Sequence, residues 1–128
     1  MVSNKDLELI ESAKSIIDKN FDKVNYNHTV GAAIRCKNGN IYVGVNIDAI
    51  HGSCAEYIAI GAALTAGERE FETIVAVRSQ EENSVLIPPC GNCRQLLMKY
   101  APSIGVLIET ENGVEKINIQ ELLPFSCY

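Results

Sequence analysis

The amino-acid sequence predicts an α/β fold in which helices cover a mixed β-sheet. One observation is that short β-prone segments alternate with helical segments along the chain. A second is that a strand–helix–strand order in the second half predicts parallel pairing, whereas an Asn-Gly turn in the first half predicts an antiparallel hairpin. The chain has 128 residues, the length of one ordinary domain. We therefore expect residues 1–128 to form a single domain.

The first half of the chain predicts an amphipathic helix followed by the hairpin. Residues 4–20 place apolar side chains at helical spacing between lysines and glutamates, after Ser3 and Asn4 as candidate caps. Residues 30–35 and 41–47 are β-prone and flank the Asn-Gly turn. These two segments are expected to pair with each other.

The second half predicts two more helices between strands. An apolar run over residues 54–66 ends at Gly67, which predicts a helix buried on most sides. Residues 71–77 read as a third strand, and two prolines precede a helix over residues 90–100. The remaining elements are two strands and a helical turn, over residues 106–109, 114–119 and 120–123.

Composition and charge exclude several classes of function. With 47% hydrophobic and 21% charged residues, the chain is neither disordered nor collagen-like. Its net charge of −5 offers no basic surface, so we expect a small-molecule substrate and no nucleic-acid partner. The longest uncharged apolar run, residues 57–67, is too short to cross a bilayer, and residues 1–20 lack a secretory pattern. We therefore expect a cytoplasmic protein without membrane association.

Two short segments carry the chemistry, Cys54-Ala55-Glu56 and Pro89-Cys90-Gly91-Asn92-Cys93. Each lies where the sequence predicts the start of a helix, and the positive end of a helix dipole favours the thiolate form that binds metal. Five cysteines without an export signal also point to thiolate or metal chemistry rather than disulfides. Three thiolate ligands leave one position of a zinc tetrahedron open, as in catalytic zinc sites. We predict one Zn²⁺ per subunit, held by Cys54, Cys90 and Cys93.

Two neighbouring side chains have predicted roles beside this zinc. Glu56 follows Cys54 by two residues, so it could carry protons without being a ligand. Three thiolates and Zn²⁺ sum to a charge of −1, which makes the metal less acidic. Arg94, next to Cys93, is expected to donate a hydrogen bond to a thiolate and offset this charge.

Several of these residues also have another interpretation. Ser53 and Glu56 have the spacing of a capping box. His51 could complete a Cys₃His shell, which would make the zinc structural, and the Cys-x-x-Cys pair alone could be a redox site. Cys36 and Cys127 lack ligand spacing and are expected to be small buried hydrophobes.

The motifs together resemble the cytidine deaminase family, and within it the blasticidin S deaminase branch. Its anchors lie in order along nearly the whole chain: Val30-Gly31-Ala32-Ala33, Gly44-Val45-Asn46-Ile47-Asp48, Cys54-Ala55-Glu56, Pro89-Cys90-Gly91-Asn92-Cys93-Arg94-Gln95 and Glu121-Leu122-Leu123-Pro124-Phe125. The resemblance implies a three-layer αβα sandwich with a mixed five-stranded sheet, usually a homotetramer. It also implies that water activated by zinc attacks C4 of a cytosine ring and releases ammonia.

The resemblance further implies substrate contacts. Asn46 matches the family asparagine that binds ribose, and Asp48 stands where the family has a ribose-binding glutamate. The Ala55 carbonyl is expected to face the departing amine. His28 stands where cytidine deaminases commonly place a phenylalanine against the substrate, although a polar residue at a strand edge is the commoner reading of such a histidine. Asn46 and Asp48 could also simply end a strand.

Three functions follow as hypotheses. The first is zinc-dependent deamination of cytidine or deoxycytidine, with blasticidin S as the alternative substrate. Tyr57 replaces the arginine usual after Cys-Ala-Glu in tetrameric cytidine deaminases, and the shorter loop before Cys54 also favours the blasticidin branch. The second is a non-catalytic zinc-binding protein. The third, a polynucleotide deaminase, is disfavoured by the acidic charge and the lack of tryptophan.

Overall fold

Four helices and six strands form the part of the chain that the computed structural model describes, residues 2–80 and 83–127. In chain order they are α1 (Asn4–Asn20), β1 (Val30–Cys36), β2 (Ile41–Val45), α2 (Ala55–Thr65), β3 (Phe71–Ser79), β4 (Ser84–Ile87), α3 (Gly91–Tyr100), β5 (Gly105–Thr110), β6 (Gly113–Asn118) and α4 (Ile119–Leu122). Every element predicted from the sequence is present, and the ends of the elements differ from the prediction by at most two residues.

The strands form one mixed sheet in the order β2-β1-β3-β5-β6. Strands β3 and β5 are parallel, and the other neighbours are antiparallel. The sequence analysis missed a sixth strand, β4, which pairs with β3 from Ala76↔Ile87 to Ser79↔Ser84. Four residues directly before two prolines are too few to show a clear alternation. The five predicted strands thus form the main order of the sheet, and β4 is an addition to it.

Both faces of the sheet are covered, because successive residues of a strand point to opposite faces. Along β1, Ala33 packs with α1, whereas Ala32 and Ile34 pack with α2 and α3. Strand β3 repeats the alternation, with Val75 toward α1 and Ile74 toward the other two helices. The predicted three-layer αβα sandwich is therefore confirmed.

Helix α1 is joined to the sheet by a buried ion pair at its N-terminus. Ser3 caps the helix in a reciprocal capping box with Asp6. Asp6 is fully buried, and the Nη2 atom of Arg35 lies 2.8 Å from its Oδ1 atom. Burial alone would raise the pKa of Asp6, but hydrogen bonds from Arg35 and from the Ser3 N–H, together with the charge of Lys116, lower it to about 2. This network fixes α1 against β1.

Helix α2 lies directly against β2, and Gly44 allows that approach. A Cβ atom at position 44 would lie 2.6 Å from the Ala59 backbone nitrogen and 2.8 Å from the Ile58 Cβ atom. Only glycine fits this contact without moving the helix. Gly44 thus helps to set the position of the helix that begins beside Cys54.

The two cysteines outside the predicted metal site differ from each other. Cys36 is buried, as predicted, and burial raises the pKa of its thiol to about 11. Cys127 is exposed, so the expectation that it is a buried small hydrophobe is wrong. It follows α4 in a terminal segment that lies outside both apolar clusters. Within the described residues, no helix has both the length and the apolar character of a membrane span.

Candidate active site

Two helix starts bring three thiols together. Cys54 is the N-cap of α2 and Cys90 is the N-cap of α3, and both have extended backbone angles. Cys93 lies in the first turn of α3, where its N–H points toward the Cys90 sulfur at 3.5 Å. The Cys-x-x-Cys spacing therefore turns both sulfurs of α3 to one side, toward the start of α2.

The separation of the sulfurs fits a zinc ion. The ligand atoms of Cys54, Cys90 and Cys93 all lie within 4.8 Å of one another, and the Cys54 and Cys90 Sγ atoms are 3.7 Å apart. A tetrahedron with Zn–S bonds of about 2.3 Å has sulfur–sulfur edges of about 3.8 Å. Three soft thiolates are also the donor set that zinc prefers. The three sulfurs thus fit three of the four positions of tetrahedral zinc.

The alternative with four protein ligands receives no support from the structure. His51 is exposed and does not join the three sulfurs in the metal-ligating group found among residues 2–80 and 83–127. A redox pair formed by the Cys-x-x-Cys motif alone would leave the presence of Cys54 in the cluster unexplained.

The surroundings act differently on the pKa values of the three thiols. Burial raises the pKa of Cys54 and of Cys93. Burial opposes ionisation of Cys90 too, but the N–H groups of Cys93 and Asn92 stabilise its thiolate, and the pKa of Cys90 lies below its usual value. Cys90 is therefore the most readily ionised of the three in the metal-free chain.

Glu56 is a buried carboxyl group beside the sulfur cluster. It is the second residue of α2 and only 5% exposed. Burial raises the pKa of Glu56, and hydrogen bonds from its own backbone N–H and from Cys93 oppose this rise only in part. The capping-box interpretation is wrong, because the N-cap of α2 is Cys54 rather than Ser53. Glu56 is thus buried next to the ligands without a capping role.

Arg94 does not make the predicted hydrogen bond to a thiolate. Its Nε atom donates to the Pro89 carbonyl at 2.8 Å, and its Nη1 atom donates to the Leu122 carbonyl at 2.9 Å. These two carbonyls lie at the turn before α3 and at the end of α4. Arg94 therefore supports the turn that carries Cys90 and does not donate to a sulfur in the structure.

A cavity of about 390 Å³ opens beside the sulfur cluster. Its lining includes residues of the loop after β2 and of both helix starts: Asn46, Ile47, Asp48, Gly52, Ser53, Cys54, Tyr57 and Asn92. The loop is closed by backbone hydrogen bonds in both directions between Ile47 and Ser53, at 2.9 and 2.8 Å. This closure places Asn46 and Asp48 on the same cavity as Cys54. No lysine or arginine lines the cavity in the described part of the chain.

Two other residues with predicted substrate contacts, His28 and Ala55, are not among the residues that line this cavity. His28 has a positive φ of 55°, and its Nδ1 atom lies 2.8 Å from the Asn46 carbonyl oxygen. The Asn46 side chain accepts a hydrogen bond from the Val30 N–H at 3.0 Å. Ala55 is fully buried at the start of α2. Direct substrate contacts of His28 and Ala55 stay predictions.

The sequence analysis missed one polar pair on the cavity. The Tyr57 hydroxyl donates to the Asn92 Oδ1 atom at 3.3 Å, linking α2 to α3. Spacing could have indicated half of this pair, because Tyr57 follows Cys54 by three residues and so lies on the same side of α2. The contact with α3 depends on the packing of two distant segments, which no local pattern reveals.

Comparisons with known proteins agree with this geometry. The family model for the cytidine and deoxycytidylate deaminase zinc-binding region matches residues 3–108. Blasticidin-S deaminase of Bacillus cereus is 44% identical, covering 96% of this chain and 92% of that protein. A cytidine deaminase of Halalkalibacterium halodurans is 34% identical, covering 74% of each chain.

A solved structure also resembles the fold of this chain. The crystal structure of cytidine deaminase from Burkholderia pseudomallei has a TM-score of 0.75 and 32% identity, covering 93% of this chain and 96% of that one. The family model spans both segments that carry the three sulfurs and Glu56. The chain therefore belongs to the cytidine and deoxycytidylate deaminase family of zinc-dependent hydrolytic deaminases.

Proposed function

We propose that this protein hydrolyses the exocyclic amine of a cytosine nucleoside, giving the uracil nucleoside and ammonia. The observation that carries the proposal is the cluster of three cysteine sulfurs, with the buried Glu56 close by and a cavity of about 390 Å³ that Cys54 lines. When bound, zinc supplies Lewis-acid chemistry that lowers the pKa of water toward about 7.

The residues of the chain have distinct roles in this proposal. Cys54, Cys90 and Cys93 hold the metal. Glu56 carries the two protons of the attacking water in turn, the first to the ring nitrogen and the second to the departing amine, as expected for a buried carboxyl group next to the reacting atoms. Asn46 and Asp48 bind the sugar in this proposal, which is supported by their presence in the cavity lining.

The experiment is to follow the loss of cytosine-ring absorbance with purified, zinc-loaded protein. Glu56→Ala should retain zinc and lose turnover by about two orders of magnitude or more, because it removes the general acid and base. Glu121→Ala, an exposed carboxylate on α4, is the matched control and should retain activity. Normal turnover by Glu56→Ala would remove Glu56 from the mechanism.

Blasticidin S is the second candidate substrate, and two observations favour it. The Bacillus cereus blasticidin-S deaminase matches nearly the whole chain at 44% identity. The cavity lining also carries Asp48 and, in the described residues, no cationic side chain, which suits the cationic appendage of this cytosine antibiotic. A comparative panel of cytidine, deoxycytidine and blasticidin S ranks the substrates by kcat/KM.

We also propose a homotetramer, as the family resemblance implies. Apolar side chains are exposed next to the cavity at Ile47 and near the C-terminus at Phe125, which supports a surface that another subunit covers. Sedimentation velocity measures the state directly, and a monomer at micromolar concentration would contradict the proposal. The cytoplasmic location stays a prediction.

A further inference from the structure

The two halves of the metal site are carried by separate helices. Cys54 begins α2, whereas Cys90 and Cys93 begin α3. Apolar side chains of both helices belong to one core cluster, and side chains of both line a cavity between them. These contacts join the two helices through the core, whereas the ligands lie at the helix starts.

A side-chain hydrogen bond joins α2 and α3 next to the sulfurs. The Tyr57 hydroxyl on α2 donates to the Asn92 Oδ1 atom on α3 at 3.3 Å. Tyr57 follows Cys54 by three residues, and Asn92 lies between Cys90 and Cys93. Each member of the pair is thus within one helical turn of a ligand on its own helix.

Tyr57 lies next to two cavities. Its side chain is half-buried and lines both the active-site cavity and a second cavity of about 400 Å³ between α2 and α3. Its hydroxyl reaches Asn92 at the start of α3. A change to phenylalanine removes this hydroxyl and keeps the ring.

Arg94 does not take over the role of this link. It donates to the carbonyls of Pro89 and Leu122 and so supports the turn before α3. The bond between Tyr57 and Asn92 is neutral, and it can fix the position of the two helix starts without adding charge next to the thiolates.

We propose that Tyr57 and Asn92 are positioning residues for the metal site, which hold the starts of α2 and α3 at the separation that three-sulfur coordination requires. The proposal rests on zinc binding by the three cysteines and does not depend on which substrate is used. It acts through the ligands, so its first consequence is in metal affinity and ligand geometry rather than in the proton transfers of Glu56.

The test is the zinc dissociation constant, measured by competition with a chromophoric chelator at neutral pH. Tyr57→Phe and Asn92→Ala should each weaken zinc binding about three- to tenfold, the effect of one neutral hydrogen bond. The double variant should bind zinc with the same affinity as the single variant of lower zinc affinity, because both changes remove the same contact. The absorption spectrum of the cobalt-substituted protein should change in the same variants, since it reports ligand geometry.

Tyr42→Phe is the matched control, because it removes a tyrosine hydroxyl that donates to Glu68 at 3.0 Å, away from the sulfurs. It should leave the zinc affinity and the cobalt spectrum unchanged. The proposal is overturned if either single variant binds zinc as tightly as the wild type, if the two effects add, or if Tyr42→Phe weakens binding equally. A wild-type protein that binds no zinc would instead refute the proposed function.

Discussion

Replacing Asp6 with asparagine tests how the buried ion pair beneath α1 stabilises the fold. The Asp6 side chain is fully buried and lies 2.8 Å from the Arg35 guanidinium. Asparagine has the shape of the protonated acid, so Asp6→Asn removes the charge and keeps the volume. The variant should therefore lose the part of the stability that depends on ionisation of Asp6.

The pKa of Asp6 gives the magnitude. It falls from 3.8 to about 2 in the folded chain, which corresponds to about 2 kcal/mol, at 1.36 kcal/mol for each tenfold change in proton affinity. Because the folded pKa is the lower one, this stabilisation is complete well above pH 3.8 and is lost as the pH falls through about 2. About half of it should be lost by pH 3.

Urea unfolding at several pH values between 7 and 3 measures the effect. Asp6→Asn should be less stable than the wild type by about 2 kcal/mol at pH 7, and the difference should shrink to about 1 kcal/mol at pH 3. Loss of zinc at low pH affects both proteins and cancels in the difference. Asp18→Asn, which is exposed near the end of the same helix, should change stability by less than about 0.5 kcal/mol. A difference between wild type and Asp6→Asn that is constant with pH would refute the reasoning.

Three further predictions concern the position of the helices and the reactivity of a buried thiol. Gly44→Ala should lower the free energy of unfolding by about 1–3 kcal/mol and weaken zinc binding, because the new Cβ atom meets the backbone of α2. A Cβ atom at Gly61 meets no atom within 4 Å, so Gly61→Ala should be neutral or stabilising. Equal urea midpoints for the two variants would contradict this. Arg94→Gln should lower the melting temperature and the zinc affinity together, since the guanidinium holds two backbone carbonyls near the site; loss of activity alone would point to a direct effect on the chemistry. Cys36 should stay unmodified by a thiol reagent at pH 8 in the folded protein, because burial raises its pKa to about 11, and rapid labelling of Cys36 in a peptide map would show that this core opens readily.

The sequence predicted those parts of the fold that depend on local patterns. Residues 4–20 place apolar side chains at helical spacing between charged ones, and α1 has those bounds. The Asn-Gly turn predicted the β1–β2 hairpin, in which Gly39 has the positive φ of 94° that this turn needs. Strand β4 was missed because its four residues show no periodicity of their own, and its pairing with β3 is what makes it a strand.

In the candidate site, too, local features were predicted and features that depend on tertiary packing were not. The ligand spacing and the helix starts are local, so the sequence indicated Cys54, Cys90 and Cys93, and the structure brings them together. The direction of the Arg94 side chain depends on carbonyls supplied by the turn before α3 and by α4, and no sequence neighbour of Arg94 indicates the second of these. The bond from Tyr57 to Asn92 likewise joins residues 35 positions apart. Contacts that depend on tertiary packing are the ones that the sequence did not show.

X-ray absorption spectroscopy of the zinc-loaded protein tests the central claim most directly. The geometry predicts one zinc per chain with three sulfur ligands at about 2.3 Å and one oxygen or nitrogen ligand, which is the arrangement of catalytic zinc. Replacing Cys54 with serine should reduce the number of sulfur ligands to two. A shell of four sulfur ligands, or zinc bound without sulfur, would contradict the account.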